Sequence, residues 1–483
     1  MEFLSNISSL SSYLPELMIV LSILCVFIME SIPKYRALTF LTTCAGLVFT
    51  GILLIFSSPS TPLLFEGMIV NDSLSIYFKW LILISTLSIV LVSRDDGSVL
   101  DEVKGEYYGM LLIITLGMFT MVSAKNLLMI YLSIEMVSIP SYIIAGISKN
   151  DKESNEASLK YVIYGSFASG IMLFGLSFLY GITGSLDIDV VASRIASFDS
   201  SLTIYMVILF VLVGFGYKIS MVPFHYWTPD VYQGAPITVT AFLSAAPKAA
   251  GFAILIRFFY TLFIDSVEVL QWPQLIAVLS ALTMTVGNVL ALNQSNVKRL
   301  LAYSSISHVG YMLVAFSVIS TDSIVSILFY MFFYLFMNLS AFYMAIYMSN
   351  KYNANNIDEW NGVGIKVPVL SFFMVLSLAS LAGLPPTSGF VAKVYILRNL
   401  FADNGFIWLG VVAIINTVIS LYYYFKIVKA MYFMDNDNLE IKECSPALFW
   451  LIIIFSLQNI IFYIYWPKLI ELLNFLIINT GMV

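Results

Sequence analysis

The sequence predicts an all-α membrane protein that crosses the bilayer about fourteen times. Three observations support this fold class: 60% of the 483 residues are hydrophobic, only 11% are charged, and long apolar stretches recur along the whole chain. Soluble domains carry about 25% charged residues, whereas a helix needs about twenty apolar residues to cross roughly 30 Å of hydrocarbon. The composition therefore favours a polytopic helical bundle and argues against a soluble protein.

The predicted spans follow one another closely, and no linker-rich segment divides the chain. They lie near residues 14–32, 37–57, 74–93, 106–123, 126–147, 158–182, 202–222, 236–264, 274–293, 300–319, 323–349, 367–402, 405–432 and 446–466. The twelfth stretch is overlong and contains Gly383, Pro385, Pro386 and Gly389, and proline interrupts helical hydrogen bonding. We therefore expect two helical pieces there, within a single transmembrane domain that covers residues 1–483.

The basic residues of the predicted loops are divided unequally between the two faces of the membrane. Loops after odd-numbered spans hold thirteen lysines and arginines, and the opposite face holds three. Because basic loops remain in the cytoplasm, both chain termini are expected on the outer side. Three further basic residues near the ends of spans are expected to extend towards an interface; they are Lys79, Arg257 and Arg398.

The cysteines and the short motifs give no sign of a redox or nucleotide site. Cys25, Cys44 and Cys444 are far apart and lack a Cys-x-x-Cys spacing, which argues against an iron–sulfur cluster, a zinc site or a disulfide framework. No Gly-x-Gly-x-x-Gly or P-loop pattern occurs, so nucleotide binding is not supported. Any redox chemistry is therefore expected to happen in other proteins.

Four ionisable residues lie inside predicted spans, each within about two helical turns of a proline. They are Glu135 in YLSIEMVSIPSY, Lys218 in GFGYKISMVPFHYW, Lys248 in SAAPKAAGF and Lys393 in LAGLPPTSGFVAKVYIL. A charge at the bilayer centre costs about 2.5–3.5 kcal/mol on insertion scales. Each proline frees a carbonyl, and broken backbone at membrane depth is tolerated only against protein or water.

These four sites predict a hydrated path along which protons are passed. A freed carbonyl can bind water or an ammonium group, and Pro385 and Pro386 free the carbonyls of Leu381 and Ala382. A buried lysine and a nearby carboxylate form a pair that can switch between a coupled and an uncoupled state. Glu135 and Lys218 are the candidates for such a pair. The alternative is a set of buried ion pairs that only fixes helix packing.

Three further residues are candidates for the same path. His225 and His308 lie among polar residues, and histidine suits proton transfer near neutral pH, although a lone histidine can equally be a hydrogen-bonded packing residue. Lys160, in ASLKYVIYGS at the start of the sixth span, fits either an interface anchor or a proton donor on the cytoplasmic side.

A short repeat indicates internal duplication. Residues 214–218 and 389–393 both read Gly-Phe-x-x-Lys and lie beside proline breaks five spans apart. An odd offset in spans gives the two copies opposite orientations, which is the inverted-repeat plan of many transporters. We therefore predict a first repeat near 106–264 and a second near 274–432.

The run PFHYWTPDVYQGAPITVTAFLSAAPKAA and the segments quoted above closely resemble the antiporter-like subunits of respiratory complex I, the proton-pumping NADH:quinone oxidoreductase. The resemblance covers about residues 100–430 and is strongest to the subunit N type. It implies fourteen helices, two inverted five-helix repeats and a central hydrophilic axis. It also implies proton-transfer roles, with Glu135 and Lys218 as a coupled pair, Lys248 as the central lysine, Lys393 near the exit, and Lys160, His225 and His308 on the axis or its cytoplasmic entrance.

The resemblance further implies a non-redox, proton-translocating subunit of an enzyme complex in the plasma membrane of a bacterium. No cofactor is expected in this chain, because NADH, FMN, iron–sulfur clusters and quinone bind to other subunits. The implied partners are neighbouring membrane-arm subunits and membrane lipids, with no nucleic acid. Two alternatives are a subunit of a related multisubunit cation/proton antiporter or membrane-bound hydrogenase, and a membrane scaffold whose buried charges only fix assembly.

Overall fold

The computed structural model describes residues 6–59, 63–196, 198, 201–264, 270–402, 406–435, 442–478 and 480. These residues are almost entirely helical, and their β structure consists of isolated bridges. The main helices are α1 Leu14–Ser31, α2 Thr39–Ile55, α3 Ser73–Ser93, α4 Lys104–Ser123, α5 Leu127–Ala145, α6 Lys152–Thr183, α7 Ser201–Ile219, α8 Trp227–Gly234, α9 Ile237–Leu262, α10 Trp272–Ala291, α11 Val297–Phe316, α12 Thr321–Tyr352, α13 Pro368–Ala382, α14 Ser388–Ala402, α15 Ile407–Phe433 and α16 Pro446–Ile478. Short α-helices cover Asn6–Ser9, Ile188–Ala196 and Val363–Lys366, and 3-10 turns cover Leu10–Ser12, Pro33–Leu38, Asp101–Val103 and Ile357–Trp360.

The helices correspond to the fourteen predicted spans, which confirms the predicted fold class. Twelve of the described helices are individually long and apolar enough to cross a membrane. The tenth predicted span is α11, which is less apolar because it carries several serines and a histidine. The twelfth predicted span is the pair α13 and α14, which are the two pieces expected around its break.

The seventh span differs from its prediction as a single helix over 202–222. Helix α7 ends at Ile219, and the chain becomes helical again only at α8. Two residues explain this ending: Ser220 adopts a left-handed backbone with φ of 67°, and Pro223 disfavours helical backbone in the residue before it. The seventh span is therefore broken as well, and α7 and α8 are its two halves.

The core of the bundle is formed by α9 and α12, whose membrane-spanning stretches are almost completely buried. Helix α9 packs against α3, α4 and α12, and its middle reads SAAPKAAGFA. Small residues let membrane helices approach one another closely. Polar groups carried by α9 and its neighbours are therefore shielded from lipid, whereas α2, α15 and α16 expose many apolar side chains.

Two sets of five spans, α4–α9 and α10–α15, share local features at corresponding positions. Asn126 caps α5 and Asn296 caps α11, and each forms an isolated bridge, the first with Asp187 and the second with Asn356. The fourth span of each set is the broken one. Since the sets are five spans apart, successive crossings give them opposite orientations, as in inverted repeats.

The Gly-Phe-x-x-Lys match itself does not mark equivalent positions. Lys218 lies at the end of α7 and precedes its break, whereas Lys393 lies within α14 and follows its break. What the two breaks share is proline, Pro223 in the first and Pro385 and Pro386 in the second. The duplication therefore rests on the breaks and the caps rather than on this five-residue match.

Two basic residues expected to extend to an interface form buried ion pairs instead. Lys79 Nζ lies 2.6 Å from Glu16 Oε1, and Arg257 binds both carboxylate oxygens of Asp72 at 2.8 and 2.9 Å. Both interpretations from sequence were wrong, because the partners come from distant parts of the chain. Burial alone would raise the pKa of Asp72, but the Arg257 guanidinium outweighs it and holds that pKa below its usual value.

The Arg257–Asp72 pair gives a prediction for stability. Removing one partner of a buried ion pair typically costs about 3–5 kcal/mol, since the other charge stays buried and unpaired. We expect Arg257→Met to lower the amount of assembled complex and the temperature at which it unfolds. The double variant Arg257→Met/Asp72→Asn should recover part of the loss, and the exposed Arg398→Met should have little effect. An unchanged unfolding temperature in Arg257→Met would contradict this prediction.

Candidate functional site

Three lysines and one histidine are buried in the interior of the bundle. The exposed fractions of Lys218, Lys248, Lys393 and His308 are 4%, 1%, 5% and 1%. They are carried by α7, α9, α14 and α11, which pack around the centre of the molecule. A buried charge in a membrane protein is costly and marks a functional site. We refer to these four residues, with Glu135, as the central row.

Lys218 lies close to Glu135, but the two groups do not form a direct ion pair. Lys218 Nζ donates a hydrogen bond to Ser138 Oγ at 3.0 Å, and the same hydroxyl donates to the carbonyl of Ile134 at 2.7 Å. Glu135 lies one turn before Ser138 on α5 and interacts electrostatically with Lys218. Within the described part of the chain, Glu135 Oε1 has no hydrogen-bond partner. The predicted pair is therefore spatially close, with a serine hydroxyl beside it.

The segment after Lys218 packs directly on the helix that carries Lys248. A Cβ atom at Gly251 would lie 2.6 Å from Cγ2 of Ile219 and 3.6 Å from Cγ of Lys218, so only glycine permits this approach. Gly251 is three residues from Lys248, which is about one turn of α9. The first two lysines of the row are thus neighbours across one helix–helix contact.

Lys248 is held by a hydroxyl from the second set of helices. Its Nζ donates to Ser305 Oγ at 2.6 Å, and its ammonium lies 5.8 Å from the centre of the Tyr232 ring. Pro247 interrupts the hydrogen bonding of α9 at the same place, and the neighbouring Ser244 carbonyl accepts a hydrogen bond from Tyr334 at 3.1 Å. Lys248 therefore joins the two helical sets beside the proline inside the buried helix.

His308 lies between the second and third lysines. Its Nδ1 lies 2.6 Å from the Tyr330 hydroxyl, and its Nε2 lies 3.2 Å from the Tyr424 hydroxyl. Both Lys248 and Lys393 are near enough to interact with it electrostatically. A histidine bonded through both ring nitrogens can accept a proton on one side and release one on the other.

Lys393 is bound by the carbonyls that the second break leaves free. Its Nζ donates to the carbonyls of Leu381 and Ala382 at 3.1 and 3.0 Å, and it lies 4.5 Å from the centre of the Tyr311 ring. These are the two carbonyls that the sequence predicts to be free, so this local prediction is confirmed. Gly383, with φ of 82°, leaves space for the lysine, since a Cβ there would lie 2.8 Å from Lys393 Cδ.

Lys160 lies outside the central row, in a cluster of charges at the end of the bundle where the basic loops gather. It is half-buried and lies 2.7 Å from Glu156 and 2.6 Å from Asp230. The other carboxylate oxygen of Asp230 lies 2.6 Å from Arg299. Asp230 therefore links α6, α8 and α11 around a small cavity of about 170 Å³.

His225 is buried in the segment that joins α7 and α8. Its ring lies 4.6 Å from the Tyr226 ring, and its Nδ1 has no hydrogen-bond partner among the described residues. The structure thus places His225 at the first break, without a hydrogen bond to a lysine of the central row in the part of the chain described. In the same residues, no group of three histidine, cysteine or acidic side chains is arranged to hold a metal ion.

Several groups of the site were missed by reasoning from the sequence. The lysines and the histidine bind hydroxyl groups that no motif distinguishes from ordinary packing residues; these are Ser138, Ser305, Tyr330 and Tyr424. Asp230 stands in the run PFHYWTPDVYQG, but nothing in the sequence distinguishes it, because its partners Lys160 and Arg299 are 70 and 69 residues away. Only the folded chain shows which polar residues face the row.

In the described part of the chain, fourteen spans, two of them broken, surround a row of buried lysines, and this arrangement defines a membrane protein of the ion-translocating class. The family model described as "NADH:quinone oxidoreductase/Mrp antiporter, TM" matches residues 124–420. The chain belongs to this family. Among similar curated proteins are the NADH-quinone oxidoreductase subunit N of Anaeromyxobacter sp. (strain Fw109-5), 37% identical over 96% of both chains, and subunit N 2 of Chloroherpeton thalassium, 42% identical over 89% of this chain and 86% of that one.

Solved structures agree with this assignment. A chain of the respiratory complex I from Thermus thermophilus with bound aureothin is 26% identical and superposes with a TM-score of 0.79, covering 95% of this chain and 98% of that one. A chain of an archaeal membrane-bound sulfane sulfur reductase, at 21% identity and a TM-score of 0.87, shares the fold over 98% and 97%. The resemblance to complex I subunits inferred from the sequence is thus confirmed, and the antiporter and hydrogenase alternatives are not favoured.

Proposed function

We propose that this chain is the proton-translocating membrane-arm subunit N of a bacterial NADH:quinone oxidoreductase. The observation that carries the proposal is the central row, in which Lys218, Lys248, His308 and Lys393 are all buried and each binds a hydroxyl or a freed carbonyl. Burying such groups is costly in a membrane, and a subunit without a transport role would gain nothing from a row of them.

Protons would move between these residues through hydroxyl groups and intervening water. A serine or tyrosine hydroxyl both donates and accepts hydrogen bonds, so Ser138, Ser305 and Tyr330 can serve as links between the ionisable groups. Where neighbouring groups are too far apart for a direct hydrogen bond, a bridging water can replace it. Glu135 is the acid of the row and would adjust the charge on Lys218.

The cytoplasmic entrance would lie at Lys160. Its carboxylate partner Asp230 also holds Arg299, so the cluster joins both helical sets at the face of the basic loops. His225, buried at the first break, is the candidate link between this entrance and Lys218. In this orientation both chain termini lie on the outer side of the plasma membrane. The two inverted repeats are proposed to cover about residues 106–264 and 274–432.

The energy for translocation would come from other subunits. We propose that this chain binds no redox cofactor and that NADH, FMN, iron–sulfur clusters and quinone are held elsewhere in the complex. Helix α5 offers a surface for a neighbour beside Glu135, where Leu128, Leu132, Ile139 and Ile143 are exposed. The chain is therefore expected to work only within the assembled membrane arm, surrounded by other subunits and lipids.

The proposal is tested by removing the acid of the row. We expect Glu135→Gln to lower NADH:quinone activity and proton pumping together, by about tenfold or more, because a positioned proton-transfer group contributes about 10²–10⁴-fold. The measurement uses membranes in which assembly of the complex is normal. Glu443→Gln, which changes an exposed loop carboxylate, is the matched control. Wild-type activity and pumping in Glu135→Gln would overturn the role of this acid.

A further inference from the structure

We propose that the chain binds an anionic phospholipid at the membrane surface, in a cavity remote from the central row. The cavity of about 350 Å³ opens where the ends of α1 and α3 meet the starts of α2 and α4. Three basic side chains line it, Arg36, Arg94 and Lys104, together with the rings of Phe40 and Tyr108. These helix ends belong to the face of the basic loops, which is where anionic headgroups are recognised between membrane helices.

Arg94 is the basic residue that remains available to a ligand. Arg36 lies 3.1 Å from Glu30, and Lys104 lies 2.7 Å from Asp101, so the two lining carboxylates already have partners. Arg94 forms no ion pair among the described residues, and its guanidinium lies 5.2 Å from the centre of the Phe40 ring. A guanidinium held in this way presents several N–H donors to a phosphate group.

The surroundings favour a lipid over a free phosphate ion. Leu41 lines the cavity and begins an exposed apolar stripe along α2, which continues through Val48, Phe49, Ile52 and Ile55. From Leu41 to Ile55 this stripe is about 21 Å long at 1.5 Å per residue, which is longer than the roughly 15 Å depth of one leaflet. A phosphate bound at Arg94 would thus place its acyl chains along the stripe.

The test is photo-crosslinking of lipid to the purified, delipidated complex. A phosphatidylglycerol and a phosphatidylcholine with the same photoreactive acyl chain are compared, and labelled peptides are mapped. We expect phosphatidylglycerol to label α2 about fivefold more than phosphatidylcholine, which corresponds to one basic residue near the membrane surface. Arg94→Gln should remove this preference, Arg94→Lys should keep part of it, and Lys152→Gln, an exposed lysine on the same face, should leave it unchanged.

Three results would overturn the proposal: equal labelling by the two lipids, unchanged preference in Arg94→Gln, or displacement of the lipid by 10 mM inorganic phosphate. The last would indicate a site for a free anion. Because labelling does not depend on turnover, its outcome is independent of whether the central row carries protons.

Discussion

Lys248→Ala is expected to reduce NADH:quinone activity and proton pumping together, by about tenfold or more. Lys248 lies on the most deeply buried helix and binds Ser305 of the second helical set. Alanine would leave an apolar gap between Lys218 and His308, because it removes the ammonium that donates to Ser305. Protons would therefore stop at the centre of the row. Quinone reduction should fall together with pumping, although no quinone is proposed to bind in this chain.

The control for this variant separates a proton role from a packing role. Lys248→Met keeps most of the buried side-chain volume but removes the ammonium, so it should be as inactive as Lys248→Ala if the charge matters. Arg398→Ala, on an exposed part of α14, should behave as wild type. Restored activity in Lys248→Met, with normal assembly, would show that Lys248 only fills space.

Lys393→Ala is expected to impair both turnover and the stability of the second break. The ammonium satisfies the carbonyls of Leu381 and Ala382, and an unsatisfied buried acceptor costs about 1–3 kcal/mol. Loss of the contact with the Tyr311 ring adds about 0.5–2 kcal/mol. This variant should therefore unfold at a lower temperature than Lys248→Ala while showing a similar loss of pumping.

The measurement is the unfolding temperature of the purified complex alongside its NADH:quinone activity. Lys393→Arg offers a useful comparison, because arginine can still donate to both carbonyls but does not release its proton. It should recover stability without recovering turnover. If Lys393→Arg restores both properties, the lysine is a structural bridge across the break and not a proton carrier.

The architecture was largely predictable because membrane spans depend on long apolar stretches. The break in the twelfth span and the carbonyls that bind Lys393 followed from the two adjacent prolines. A proline break beside residues 214–218 was also predicted, but the seventh span was drawn as one helix to residue 222, because the apolar stretch continues beyond Ile219 to Pro223. Local rules about proline therefore place the end of a helix more accurately where two prolines coincide than where one stands alone.

The ionisable residues of the site were also predictable, but their partners were not. A lysine in an apolar stretch is conspicuous, whereas Ser305 and Tyr330 resemble the many serines and tyrosines that pack membrane helices. The partners of Lys79 and Arg257 were not predictable either. Each residue lies near the end of a span in the sequence, and only the fold brings Glu16 and Asp72 beside them. Contacts across 57 to 185 residues depend on the tertiary fold.

The most direct test of proton transfer along the central row is to compare Lys218→Ala with Lys218→Arg in the assembled complex, measuring NADH:quinone activity and proton pumping. Alanine leaves Glu135 without its nearby cation, whereas arginine keeps the charge but does not release a proton in this range. If Lys218 passes protons, both variants should lose activity and pumping, while a merely structural cation would tolerate arginine. Wild-type rates in both variants would remove Lys218 from the mechanism and contradict the proposed path.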